Sequence, residues 1–587
     1  MNKIKPNTAK IIFLFSIVTL GFIIFLGAAF YWSSTKRKLP NLTYTEINSA
    51  LRGDIISRDG FKVATSIKLY KVTIDTRNLD PQKKELFIKL YTLYSGEDPK
   101  KVKKIINSTF GSVILSYKID SKKAKYLKNL ARKLYRLGVF KNYENPKTKV
   151  SFLHGMNIIE SGEKRIYPAL DTLTPVIGYV KKVEKDRITK IAGVKGVERF
   201  YEDKLRPIQN SVLQGKRDIA NNVILNRDSV YTKRIDGYDV YLNISLKIQK
   251  IIEKILDTKK KFLEADEIIA SVMDSRTGAL LALATSNRYN PDAIKRSDYP
   301  SLNVAAIEYS YEPGSVMKPI TFALLLENKK INPFDLVRIY GGKFKLGKRT
   351  IRDAHSYEWL SAEDVIVHSS NVGIAQIAQN LDSLEFYQGL KDFGFSFKSG
   401  IDLPYEARGE IPPLHKFKSE TYKATVGYGY GMRANFMQML KAYSAFNNNG
   451  REVVPRIAKK FSLKDGQPIP FLMDTQKQVI PVAVAKRVQK ILIKTVLKGT
   501  GTAAIYDGLE IGGKTGTAHI AADGGYSDNY NSSFFGFAND KKNRFTIGVL
   551  VRVPKKRYYY YASLTAVPIF RQIVDKLVEE GYLSPSL

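Results

Sequence analysis

The hydrophobic pattern divides the chain into three stretches of different character. From Ile11 to Trp32 no side chain is charged, and a helix of that length covers the roughly 30 Å hydrocarbon layer of a bilayer. The run is longer than the roughly 7 to 15 residues of a signal-peptide core. It ends in Phe30, Tyr31 and Trp32, which suit the interfacial aromatic belt. Gly27, Ala28 and Ala29 form a weak cleavage-like site, but a retained single span over 11–32 is the expectation, with 1–10 as a cytoplasmic tail. Lys3, Lys5 and Lys10 before the span are matched by Lys36, Arg37 and Lys38 after it, so charge leaves its orientation open.

The second stretch, 33–235, mixes helical periodicity, as in 83–95 and 121–137, with strongly basic segments and no catalytic constellation. It reads as a scaffold. The third, 236–587, opens with an alternation from Tyr238 to Ile244 and a helical repeat through Leu246, Ile248, Ile251, Ile252 and Ile255. Two strands follow, Ile268 to Asp274 and Ala279 to Thr285, joined by the turn Ser275-Arg276-Thr277-Gly278. A mostly helical middle extends to about residue 500. Strand patterns then return at 509–517, 532–538 and 545–551, and a helix over 565–580 ends the chain. Strands at both ends with helices between predict an α+β fold in which distant segments close one antiparallel sheet under helices.

Composition narrows the chemistry. The 587-residue chain has no cysteine, which excludes disulfides, thiolate metal sites and cysteine nucleophiles. Its 94 Lys and Arg against 56 Asp and Glu give +38, a field that attracts anions. These charges are scattered and no nucleic-acid module is recognisable, so no nucleic-acid partner is expected. In the basic run 122–136, periodic apolar residues point to the solvated face of an amphipathic helix. The histidines at 154, 355, 368, 415 and 519 show no metal-ligand spacing. No metal or cofactor is expected.

Three short motifs carry candidate chemistry. SxxK occurs at Ser33 with Lys36, Ser161 with Lys164, and Ser315 with Lys318. The first abuts the span and the second reads as a glycine-containing loop. Ser315 instead follows the breaker Pro313-Gly314 and opens a predicted helix. A serine in a first helical turn has its hydroxyl and N–H at the positive dipole end, with Lys318 on the same face. For Lys318 to act as a base near neutrality its pKa must fall by about three units, or about 4 kcal/mol, through desolvation or a second cation. Ser369-Ser370-Asn371 lies between predicted helices, where Ser369 can relay a proton and Asn371 can bind a peptide group. Lys514-Thr515-Gly516-Thr517 sits on a predicted strand after Gly512 and Gly513; its edge can pair with an extended peptide while Lys514 and the threonine hydroxyls hold a carboxylate. SxN recurs at 301–303 and 527–529, and a KTG can be an ordinary turn. Order and context join the three.

This combination resembles the penicillin-binding protein and serine β-lactamase superfamily. Arg52-Gly53-Asp54-Ile55, Ser57-Arg58-Asp59-Gly60, Arg165, Tyr167, Pro168, Gly193, Gly196 and Glu198 are similar to the pedestal motifs of its class B branch. Gly427-Tyr428-Gly429 and Gln438 match that branch's transpeptidase domain. Ser57, Asn243, Ser245 and Asn435 depart from its usual residues without removing a catalytic group. The resemblance implies a dimerisation-type pedestal over 33–235 and a transpeptidase domain over 236–587, a β-lactamase-like sheet with a helical lobe. It implies a D,D-transpeptidase with Ser315 as nucleophile, Lys318 as base, Ser369 as proton shuttle and Asn371 orienting substrate. Lys514 and Thr515, with Gly516 and Thr517, would bind the substrate, and the N–H groups of Ser315 and Thr517 would form the oxyanion site. Implied partners are peptidoglycan stem peptides, glycan strands built from lipid-linked precursor, penicillins, a SEDS-type glycosyltransferase and other division proteins. The catalytic part would lie on the periplasmic side of the cytoplasmic membrane. Asn371 and Gly427 to Gly429 are more similar to the division type, acting in septal synthesis, than to the elongation type. A β-lactamase or carboxypeptidase, and a catalytically dispensable scaffold or β-lactam sensor, remain alternatives.

Overall fold

The uncharged run folds as one helix, Thr8–Ser34, with every side chain exposed and both length and hydropathy sufficient to cross a membrane. The computed structural model describes residues 7–34, 43–146, 149–185, 188–218, 223–464, 466–470, 476–522 and 525–586. Most of the expected tail and the flanking Lys36, Arg37 and Lys38 lie outside these residues.

The chain forms two compact units, one of Met1–Asn48 with Gln209–Arg234 and one of Ser49–Ile208 with Ile235–Leu587. The first holds the long helix and an antiparallel three-stranded sheet. There Thr43–Asn48 pairs with Ser211–Lys216, which pairs with Val230–Thr232.

In the second unit, the sequence up to residue 208 builds a sheet around the long strand Lys62–Asp75, paired with Ser112–Asp120 and Asn157–Ile166. Helices Lys84–Ser95 and Ser121–Arg136 pack through Phe87, Tyr91, Leu127 and Leu134. Asp120 caps the second helix by accepting from Lys123 N–H. Lysines stand at its exposed positions, as its 3.6-residue pattern requires. Ser161, expected in a loop, instead lies inside the strand Asn157–Ile166. A register shift opposite Gly162, whose φ is 140°, is the bulge that its glycine suggested as a turn.

Three segments assigned to the scaffold meet at one buried cluster. Glu198 accepts from Arg52 Nε at 2.8 Å and from Arg165 Nε at 2.7 Å, while Arg165 Nη1 donates to the Gly53 carbonyl at 2.7 Å. The two guanidinium groups hold the Glu198 carboxyl below its usual range against the opposing effect of burial. The strand Asp239–Leu242 pairs parallel with Ile55–Ile56 and antiparallel with Ala458–Ser462, so one sheet continues from the early sequence into the late. Tyr201 adds a strut, donating at 2.6 Å to Asp402, which also accepts from Ile457 and Ala458 N–H.

The late sequence forms a five-stranded antiparallel sheet in the order Leu280–Thr285, Glu267–Asp274, Arg544–Arg552, Gly525–Asn539, Glu510–Ala522. Helices Leu246–Leu263 and Ala566–Glu579 cover it through Ile252, Leu256, Phe570 and Ile573. The other helices, including Phe436–Asn447, which is buried throughout, join the largest core cluster. The α+β architecture follows the sequence reading, and it leaves Glu510–Ala522 as an edge strand.

Candidate active site

Pro313-Gly314 ends the preceding strand, and Gly314–Met317 forms a 3-10 turn rather than the first turn of an α-helix. The α-helix Lys318–Glu327 begins at Lys318 itself. Proline at 319 explains the difference: it has no N–H with which to reach back to the Ser315 carbonyl, and Lys318 N–H makes the shorter 3-10 bond to it. Ser315 therefore lies one tight turn before the helix, half-buried, with Lys318 fully buried behind it.

Close backbone approach holds this turn. Gly314 N–H donates to Gly429 O at 2.9 Å. A Cβ on Gly429, whose φ is 85°, would stand 2.1 Å from the Gly314 carbonyl oxygen. On the other side, a Cβ on Gly516 would stand 2.9 Å from Val316 and 3.1 Å from the Pro313 carbonyl oxygen. Glycine at 429 and 516 thus lets a loop and the edge strand clasp the Ser315 turn. Gly516 faces that turn, whereas Thr515, Thr517 and His519, alternating along the same strand, line the cleft.

Ser369 stands between helices Ala362–Val367 and Asn371–Ile377 with a φ of 59°, a left-handed conformation that non-glycine residues adopt at a cost and that recurs at functional sites. Ser361 caps the first helix and Ser370 the second. Lys318 Nζ donates to the Ser369 carbonyl at 2.6 Å, to Asn371 Oδ1 at 2.8 Å and to Ser369 Oγ at 3.3 Å. Lys514 Nζ donates to the same Oγ at 2.8 Å. The Ser369 hydroxyl is thus the shared acceptor of two buried lysines.

Burial pushes Lys318 down to about 7, a fall that the Asp353 carboxylate partly opposes. Burial, reinforced by the positive charge of Lys318, pushes Lys514 well below the lysine range. Two ammonium groups cannot both be fully charged around one hydroxyl in a desolvated site, so their titrations belong to the pair. One of the two supplies a neutral amine near neutrality.

Ser315, Ser369, Asn371, Thr515 and Thr517 line a cleft of about 620 Å³. Lys318 and Lys514 lie beneath it, and Ser315 Oγ makes no hydrogen bond to the described residues. All the residues singled out in the three motifs meet here, with two changes of emphasis. Gly516 supports the turn and does not line the cleft. Lys514, expected to reach out to a carboxylate, is buried against Ser369, and the cleft-facing groups of its strand are Thr515 and Thr517. Thr515 Oγ1 is 2.6 Å from Thr500 Oγ1, and Thr517 Oγ1 accepts from Ala562 N–H at 3.1 Å.

Asp353 carried no signal in the sequence. It accepts from Asn371 N–H at 2.5 Å, Val372 N–H at 3.0 Å and Ser370 Oγ at 2.5 Å, fixing the helix start that aims Asn371. Nor did the cleft's aromatic wall show: Tyr430 accepts from His519 N–H, and Tyr530 stacks on Tyr560 with ring centroids 4.7 Å apart. Long-range pairing alone assembles these groups. Among the described residues no group of three or more His, Asp or Glu side chains could hold a metal ion.

Comparison with known proteins agrees with this geometry. The penicillin binding protein transpeptidase domain profile matches residues 268–575, and the penicillin-binding protein dimerisation domain profile matches residues 47–242. The chain is 28% identical over 554 residues to the stage V sporulation protein D of Bacillus subtilis, covering 90% of this chain and 78% of the relative. It is 26% identical over 554 residues to the peptidoglycan D,D-transpeptidase FtsI of Buchnera aphidicola, covering 92% and 89%. In fold it is similar to penicillin binding protein 2X of Streptococcus thermophilus, with a TM-score of 0.75 at 19% identity over 92% of this chain and 81% of that one. A dimerisation domain followed by a transpeptidase domain, with the three motifs converging on one cleft, places the chain in the class B penicillin-binding protein family.

Proposed function

We propose that the chain is a membrane-anchored peptidoglycan D,D-transpeptidase that cross-links stem peptides through a Ser315 acyl-enzyme outside the cytoplasmic membrane, in septal wall synthesis. The observation that carries the chemistry is the pair of buried lysines sharing Ser369 Oγ below the Ser315 turn. Neutral Lys318 accepts the Ser315 proton as Oγ attacks the carbonyl of the penultimate D-Ala. The bond to the terminal D-Ala then breaks, and its amine takes a proton relayed through Ser369. Lys514 holds that hydroxyl in place. An amine from a second stem peptide attacks the ester, the proton returns, and Ser315 is released.

The oxyanion site is formed by the N–H groups of Ser315 and Thr517; losing one such donor typically costs about 3 to 4 kcal/mol. The substrate backbone lies along the edge strand, Asn371 orients it, and the hydroxyls of Thr515 and Thr517 receive its carboxylate. Penicillins inhibit by acylating the same serine. Within the helix Thr8–Ser34, residues 11–32 are a single-pass anchor, residues 33–235 form the pedestal and 236–587 the transpeptidase domain. Anchor and pedestal meet a SEDS-type glycosyltransferase and other division proteins. The septal role rests on Asn371 and on Gly427 to Gly429, and a fluorescent fusion at mid-cell rather than along the side wall would support it.

Product analysis tests the reaction. Membrane-reconstituted enzyme given uncross-linked glycan strands should form peptide-bridged dimers, and Ser315→Ala should form none. Trimmed monomers alone would make the protein a carboxypeptidase. Growth and cross-linking unchanged in Ser315→Ala cells would make it a scaffold or sensor.

A further inference from the structure

The small sheet in the anchor-bearing unit has two unlike faces. Its strands, Thr43–Asn48, Ser211–Lys216 and Val230–Thr232, bury a single residue, Gly215. A Cβ at Gly215 would stand 2.8 Å from Val223 and 2.9 Å from Ser229, so the chain at 223 and 229 closes over Gly215 alone, while Tyr44 and Tyr231 on that side are 40% and 66% exposed. The register puts Tyr44, Glu46, Leu213 and Tyr231 on the Gly215 side and Ile47, Val212, Lys216 and Val230 on the other. The second face has no acidic residue; threonines and Gln214 complete it. Ile47 and Val230 are each 56% exposed there.

A three-stranded sheet needs a covered apolar face to be stable, and nothing in these strands supplies one. The chain itself limits the occupant. Nine residue steps separate Ser34, the end of the membrane helix, from Thr43, and an extended chain of that length reaches at most about 30 Å. Lys36, Arg37 and Lys38 lie in that tether by sequence. Aliphatic side chains with a lysine and no carboxylate, on so short a tether, match the chemistry of an anionic headgroup layer, where apolar burial and charge attraction act together.

We propose that the face bearing Ile47, Val212, Val230 and Lys216 lies on the membrane surface and docks among anionic lipid headgroups, giving the anchor a second, peripheral contact. The Gly215 face, with Glu46, looks away from the bilayer.

The absence of cysteine makes the test direct. Single variants Ile47→Cys and Val230→Cys on one face, and Tyr44→Cys and Tyr231→Cys on the other, are labelled with an environment-sensitive fluorophore. The full-length protein is reconstituted in vesicles of phosphatidylcholine with phosphatidylglycerol, some carrying nitroxide-labelled lipid. Labels at 47 and 230 should be quenched at least about twofold more than labels at 44 and 231, and the difference should shrink in pure phosphatidylcholine. A label on Trp32→Cys, quenched in every case, shows that the helix is inserted and separates failure of the contact from failure of the anchor. Equal, weak quenching at all four positions overturns the proposal and leaves the face to a protein partner. Stronger quenching at 44 and 231 overturns the assigned face.

Discussion

Replacing Lys318 with methionine should abolish acylation and yet stabilise the protein most at low pH. In the fold Lys318 titrates at about 7, against 10.5 for an ordinary lysine. Keeping it buried therefore costs nothing above the unfolded value. The cost grows as pH falls from there and is complete below the folded value. At pH 7 it amounts to about 4 kcal/mol, at pH 9 to about 2 kcal/mol. Methionine is nearly the same volume and carries no such cost. It does forfeit the hydrogen bonds to the Ser369 carbonyl and Asn371 Oδ1, a loss of about 1 to 3 kcal/mol that changes little over this range. The pH-dependent part is diagnostic: the variant's stability relative to the native protein should improve by about 2 kcal/mol between pH 9 and pH 7. Denaturant unfolding at both pH values, with a fluorescent penicillin confirming loss of acylation, measures it. A stability difference that is the same at both pH values would refute the claim that Lys318 is held near neutrality by burial.

Other outcomes follow from the same contacts. The acylation rate should rise with pH through a midpoint near 7, as the base loses its proton, and Asp353→Asn should move that midpoint to lower pH by up to about one unit, because Asp353 favours the charged lysine; stopped-flow acylation across pH 5 to 9 reads both. Gly429→Ala should reduce acylation by about 100-fold or more, since its Cβ would meet the Gly314 carbonyl oxygen at 2.1 Å and displace the Ser315 turn; the penicillin acylation rate reports it. Glu198→Gln leaves Arg52 and Arg165 without their shared buried carboxylate and should cost about 3 to 5 kcal/mol, read as faster limited proteolysis within 49–208. Because its folded pKa is depressed, Glu198's stabilisation in the native protein is present above the ordinary carboxylate pKa and is lost as pH falls through the folded value.

Local periodicity made much of the fold legible. The uncharged N-terminal run, the helix Ser121–Arg136 and the strands Glu267–Asp274 and Arg544–Arg552 lie within a few residues of where their patterns put them: the first buries no side chain, the helix buries one face, and the two strands are buried on both faces. The motif residues were legible because residue type and order survive without geometry. What sequence did not carry was contact between distant segments. The segment 209–234 returns to pair with Thr43–Asn48, and no local pattern announces a strand partner so far away. Asp353 looks like an ordinary turn residue until the helix beginning at Asn371 is set against it. Lys514 reads as a strand lysine free to reach a ligand, and its burial depends on Ser369, placed by another loop. The Ser315 turn differs from expectation for a local reason that was visible, the proline at 319.

The central claim is that Ser315 is the acylated residue, and one measurement bears on it most directly. The full-length protein is treated with a fluorescent penicillin, digested and mapped by mass spectrometry, beside Ser315→Ala and the decoy variant Ser161→Ala. A single penicilloyl adduct on Ser315, absent from Ser315→Ala and undiminished in Ser161→Ala, is the predicted result. An adduct on any other serine, or labelling that persists in folded Ser315→Ala, would contradict it.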